Sequence, residues 1–80
     1  MKIKILFFGI TTDLMGCSDL ALDVEKKTTI AFFKSVIKKK YPQLQNIDQY
    51  AIAVNEQYVN NEFSLQENDV IAIIPPVSGG

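Results

Sequence analysis

The sequence predicts an α+β domain in which one mixed sheet of four to five strands is covered on one face by one main helix. Three observations predict it. Side chains alternate over residues 2 to 9, 20 to 25 and 51 to 55, the period-two signature of strands. One stretch, residues 30 to 41, changes to the 3- and 4-residue spacing of a helix. A late run, Val70-Ile71-Ala72-Ile73-Ile74, is apolar at every position, as a central strand buried on both sides would be. The 80 residues make one domain with a small core, and 48% hydrophobic against 21% charged residues is the balance of a globular protein.

The first strand spans residues 2 to 9. Ile3, Ile5 and Phe7 fall on one face and read as core, while Lys2, Lys4, Leu6 and Phe8 share the other. That second face is unusual, because two large apolar residues sit among lysines. Thr11 to Asp19 reads as a loop, with Gly16, Ser18 and Asp19 as turn formers. Leu20, Leu22 and Val24 then alternate with Ala21, Asp23 and Glu25, giving a second strand in a hairpin with the first.

The helix is expected from Thr29 to Lys40. Thr29 is its N-cap, and the capping box is missing because Phe32 stands where Glu or Gln would be needed. Ile30, Phe33, Val36, Ile37 and Tyr41 form the buried stripe, with Phe32 at its edge, and Pro42 stops the helix. Residues 43 to 49 read as a polar connection. A third strand follows over Ala51 to Asn55, with Ile52 and Val54 inward and Ala51 and Ala53 outward. Glu56-Gln57 reads as a tight turn into a short strand at Tyr58-Val59. Phe63 and Leu65 come next, then a polar turn, Gln66-Glu67-Asn68-Asp69, and the strand from Val70 to Ile74. A helix crossover permits parallel pairing, so the last strand is expected beside the first, in parallel, at the middle of the sheet. The core is expected to hold Ile5, Phe7, Leu22, Phe33, Ile37, Val54 and Ile73.

Composition removes several function classes. A net charge of −1 argues against a nucleic-acid binder, and the Lys38-Lys39-Lys40 cluster reads as a solvated helix end. No apolar run approaches the ~20 residues of a membrane span, and the start lacks a signal h-region, so a cytoplasmic location without membrane attachment is expected. The chain has no histidine and one cysteine, Cys17, which removes Ser-His and Cys-His catalysis, an internal disulfide and a zinc set. The domain is therefore expected to bind no cofactor or metal and to be non-catalytic alone.

The segment Pro75-Pro76-Val77-Ser78-Gly79-Gly80 carries the strongest functional signal. Two prolines end sheet pairing and stiffen the exit from it. Gly79-Gly80 has no side chain and can thread a channel closed to other residues. The expected division is a domain over residues 1–76 and an extended tail over 77–80, presenting the Gly80 carboxylate on a slim stalk. Val77 to Gly80 reach at most ~14 Å when extended.

The topology is the β-grasp arrangement of ubiquitin, and the chain resembles the small, sulfur-carrying subunit of molybdopterin synthase. The resemblance runs through Ile5-Leu6-Phe7-Phe8-Gly9, Ala53-Val54-Asn55, Asn68-Asp69-Val70 and, most specifically, Pro75-Pro76-Val77-Ser78-Gly79-Gly80. Two departures stand out: Thr11-Thr12 where that family often has an arginine, and Asn68 where it favours glycine. Asparagine tolerates the left-handed conformation that such a turn needs. The resemblance implies that an E1-like, ATP-dependent enzyme adenylates Gly80 and that a sulfur donor converts the adenylate to a thiocarboxylate. The tail, Pro75 to Gly80, would then enter the large synthase subunit, in a heterotetramer, and give sulfur to a cyclic pyranopterin. Leu6, Phe8, Tyr58 and Ile74 become the expected docking patch for these partners. Two related readings share the tail: a sulfur carrier for thiamine thiazole synthesis, and a ubiquitin-like modifier joined to lysines. A plain interaction domain with an incidental tail is the third.

Overall fold

Residues 1–76 are described by a computed structural model. The chain forms β1 (Lys2–Phe7), α1 (Ile10–Met15), β2 (Asp19–Asp23), α2 (Ile30–Lys40), a 3-10 segment (Pro42–Gln49), β3 (Ala51–Val54), β4 (Gln57–Tyr58) and β5 (Val70–Ile74). The five strands make one mixed sheet in the order β2-β1-β5-β3-β4. β1 and β5 run parallel at its centre, and the remaining pairs are antiparallel. The expected β-grasp architecture is the one observed.

Strand parity sets the core. Ile3, Ile5 and Phe7 of β1, Ile52 and Val54 of β3, and Ile71 and Ile73 of β5 are buried with Ile30, Phe33 and Ile37 of α2. All seven residues expected in the core are buried. Thr29 caps α2, its hydroxyl accepting the Phe32 N–H at 3.2 Å. The other free N–H groups of the first turn find carbonyls in a neighbouring segment: Ile30 donates to Phe63 and Ala31 to Asn61. The N–H groups of Ile30, Ala31 and Phe32 are thereby satisfied without a capping box.

Several expectations are corrected. Strand β1 stops at Phe7 rather than residue 9. The expected loop over Thr11 to Asp19 holds α1, closed by Gly16 in the left-handed conformation (φ 71°). Thr11 is fully buried: its hydroxyl accepts the Phe8 N–H at 2.9 Å and donates to the Phe8 carbonyl at 2.6 Å. The expected polar connection over 43 to 49 is the 3-10 segment, with Pro42 in its first turn and a kink at Leu44. Leu44 and Ile47, three residues apart on one face of that segment, are both fully buried. The tight turn falls at Asn55-Glu56, both at positive φ (50° and 72°), a two-residue hairpin loop that shifts the short strand to Gln57–Tyr58. Asn68 adopts the expected left-handed conformation, φ 68°. Lys34 of α2, outside the expected stripe, is 9% exposed and donates to the Asn61 amide oxygen at 2.9 Å.

Strand β5 differs most from expectation. Ile71 and Ile73 are completely buried, but Val70, Ala72 and Ile74 are only half-buried. One face of the sheet carries α2, and the other is left open over this strand.

Candidate functional site

The open face is built from one row of residues across four strands. Parallel register sets Leu6 of β1 beside Ala72 of β5. Antiparallel register sets Ala72 beside Ala53 of β3, and Ala53 beside Tyr58 of β4. Large residues thus stand at both ends of the row and alanines in the middle, so the row forms a trough. Ala53, placed outward by parity, is only 6% exposed at its floor. Phe8 continues the wall beyond β1, and Ile74 and Val70 extend the β5 side. The resulting groove has a volume of about 510 Å³, with Asn55 and Glu56 at its polar end.

Its walls are held by local chemistry. The paired hydrogen bonds of Thr11 fix the backbone of Phe8, whose ring stays 47% exposed. At the other end Asn55 donates to Asp69 at 3.0 Å and accepts the Val70 N–H at 3.0 Å. The second Asp69 oxygen accepts the Gln66 N–H at 2.7 Å. These bonds tie the β3–β4 hairpin, and with it Tyr58, to the start of β5. Tyr58 itself is 74% exposed. Exposed aromatic rings around a small-residue floor suit burial against a partner protein rather than capture of a small charged molecule.

The groove leads to the prolines. Ile74 lines it and ends β5; Pro75 is half-buried and Pro76 exposed. Gly9 lies against this exit in a conformation natural only to glycine, φ 55° and ψ −133°. A Cβ added there would lie 3.3 Å from Pro75 Cγ.

The structure therefore gathers Leu6, Phe8, Tyr58 and Ile74 into one groove and places Pro75 and Pro76 at its end. Val77, Ser78, Gly79 and Gly80 lie outside the described residues. Sequence reasoning missed the floor (Ala53, Ala72), the polar end (Asn55, Glu56) and Gly9. The alternation that put Ala53 outward was the available signal for the floor. Cys17 is half-buried and outside the groove. Among the described residues no three His, Cys, Asp or Glu side chains gather as a metal ion would need, and no helix is long and apolar enough to cross a membrane.

The model of the ThiS family matches residues 5–80, which is nearly the whole chain and includes the groove, the prolines and the glycines. The chain belongs to the ThiS family. A relative from Caenorhabditis elegans, named molybdopterin synthase sulfur carrier subunit, is 37% identical over 83 residues that cover 100% of this chain and 99% of its own. Among solved structures, SAMP1 from Haloferax volcanii superposes with a TM-score of 0.88 at 19% identity, over 100% of both chains. A complex of subunits 1 and 2 of the molybdopterin-converting factor from Helicobacter pylori contains a chain that matches with a TM-score of 0.73 at 23% identity, again over 100% of both chains. At those identities the two structures establish the shared fold. Thr11, which the sequence placed in a loop, fixes the turn after β1.

Proposed function

We propose that the protein is the sulfur-carrier subunit of a molybdopterin synthase and works through the carboxylate of Gly80. The observation that carries this reading is the continuity of the apolar groove with the Pro75-Pro76 exit, in a chain similar from end to end to molybdopterin synthase sulfur carrier subunits. A partner seated in the groove receives, from the same direction, whatever the tail carries.

The chemistry needs no catalytic side chain on the carrier. A carboxylate is a poor electrophile. Attack of the Gly80 carboxylate on the α-phosphorus of ATP, with loss of pyrophosphate, makes an acyl-adenylate with a good leaving group. An E1-like enzyme performs that step, and a donor of sulfide-level sulfur then attacks the acyl carbon, expelling AMP and leaving a thiocarboxylate. The thiocarboxylate sulfur is nucleophilic without histidine or metal, and it attacks a carbon of a cyclic pyranopterin bound to the large synthase subunit, forming a C–S bond as the C–O bond at that carbon breaks and its oxygen leaves. Hydrolysis of the joined intermediate returns the Gly80 carboxylate, and two deliveries build the dithiolene. Tethering raises the local concentration of sulfur at the target and avoids a free sulfur species. The large subunit and carrier assemble as a heterotetramer, in the cytoplasm, and the carrier binds no cofactor of its own.

The test is the intact mass of the protein purified from cells that contain its activation system. A fraction heavier by the difference between sulfur and oxygen, localised to Gly80, is expected. Deleting Gly80 is expected to abolish molybdopterin formation in a reconstituted assay and to leave the melting temperature unchanged. A chain lacking Gly80 that still formed molybdopterin would remove the reading. Lysine-linked conjugates in place of sulfur transfer would favour the modifier reading.

A further inference from the structure

We infer that Gly9 is a positioning residue for the tail, acting through Pro75; this inference rests on the carrier reading above. Gly9 is the second residue of a tight turn, Phe8-Gly9-Ile10-Thr11, closed by the Thr11 N–H donating to the Phe8 carbonyl at 3.1 Å. Its angles, φ 55° and ψ −133°, are those of a type II′ turn at the position where glycine is favoured. The buried Thr11 hydroxyl, bonded to both the N–H and the carbonyl of Phe8, fixes the start of this turn.

The turn therefore holds a bare Cα against the ring of Pro75: an added Cβ would lie 3.3 Å from Pro75 Cγ, close enough that the ring must give by a few tenths of an ångström. Pro75 is the first residue past β5, and its φ is fixed by its ring. Contact between a locked turn and a stiff residue sets the direction in which the chain leaves the sheet. The same turn carries Phe8 into the groove wall. Phe8 and Pro75 are in this way referred to one rigid piece of backbone, so a partner docked on Phe8 meets the start of the exit in a fixed position.

The experiment is a double-mutant cycle of Gly9→Ala and Pro75→Ala, read by single-turnover sulfur transfer from the thiocarboxylated full chain to the pyranopterin on the large subunit. Gly9→Ala is expected to slow the transfer step by about 10- to 100-fold, the range for a modest misplacement of a reacting group. The concentration of carrier giving half-maximal rate is expected to stay unchanged, because the groove is intact. Backbone strain at φ 55° persists whatever residue 75 is, whereas the contact vanishes with the Pro75 ring. The double variant is therefore expected to be no slower than the slower single variant. Additive losses, or a Gly9→Ala rate equal to wild type, would overturn the inference.

If Gly9→Ala does not fold, Pro75→Ala decides alone, since it removes the contact from the other side. A slower transfer at unchanged melting temperature and half-maximal concentration supports the seat, and an unchanged rate overturns it. The wild-type rate separates the two levels. A wild type that transfers no sulfur overturns the carrier reading and this inference with it, while normal wild-type transfer with unaffected variants overturns the seat alone.

Discussion

Phe8 shows how much one side chain can be asked to do on this surface. It follows the last residue of β1, its backbone is bonded on both sides by Thr11, and its ring is exposed at the groove wall. Phe8→Glu is expected to leave the fold and melting temperature unchanged, because no core contact is lost. Affinity for the large synthase subunit is expected to fall about 30-fold or more, the cost of losing a ~2 kcal/mol aromatic anchor. Titration of the variant against that subunit checks the second expectation, and a far-UV spectrum checks the first. Asp48 gives the contrasting case. Its hydrogen bond with the Lys38 ammonium, 2.5 Å away, holds its carboxyl below the ordinary carboxylate range. A depressed pKa stabilises the folded state above the unfolded value and loses that effect as pH falls through the folded one, so the pair acts at neutral pH and fades under acid. Both side chains are well hydrated, at 35% and 60% exposure, so Asp48→Asn is expected to change the neutral-pH melting temperature hardly at all. A drop of several degrees would show the pair to be structurally important.

At the scale of elements, the least conspicuous segment in the sequence has a large part in the core. The 3-10 segment contributes Leu44 and Ile47, both fully buried beneath α2 and part of the same cluster as Phe33 and Ile37. Leu44→Ala is expected to cost about 2–5 kcal/mol, a large part of what so small a domain has to spare. Denaturant unfolding checks this, and a loss below about 0.5 kcal/mol, the size of an ordinary surface change, would show Leu44 to be dispensable. What was legible follows from period. β1, β2, β3 and α2 announce themselves by alternation or by a 3- and 4-residue stripe, and β5 by an unbroken apolar run, whereas the two residues of β4 are too few to carry a period. In Pro42-Gln43-Leu44-Gln45-Asn46-Ile47 two apolar residues stand among polar ones, too few to register as a helix, and their burial depends on where α2 lies. The first helix hid for another reason: Thr11-Thr12-Asp13 have weak helix propensity, and tertiary context, including a buried hydroxyl, overrides it. The groove walls were legible by parity alone. The floor was not, because an outward alanine looks like any small surface residue until the register sets Ala53 beside Ala72. Contact between Gly9 and Pro75 joins opposite ends of the chain and leaves no local mark in the sequence.

For the whole molecule, the tail was the segment of the sequence with the strongest functional signal. The prolines follow β5 and lie past the last pairing of the sheet. The groove and the exit, by contrast, exist only because β1 and β5 lie side by side. That parallel pairing, Lys4 with Val70 through Phe7 with Ile73, also governs time. A chain emerging from the ribosome makes β1 and β2 early and can join them as a local antiparallel pair, but the centre of its sheet is empty until β5 arrives. Non-local pairings of this kind must close a long loop before they return any energy, which makes them late and slow. A nascent or prematurely terminated chain therefore offers neither dock nor stalk. The strand that completes the sheet is the one directly followed by Pro75, so the groove and the exit from it come into being in the same step.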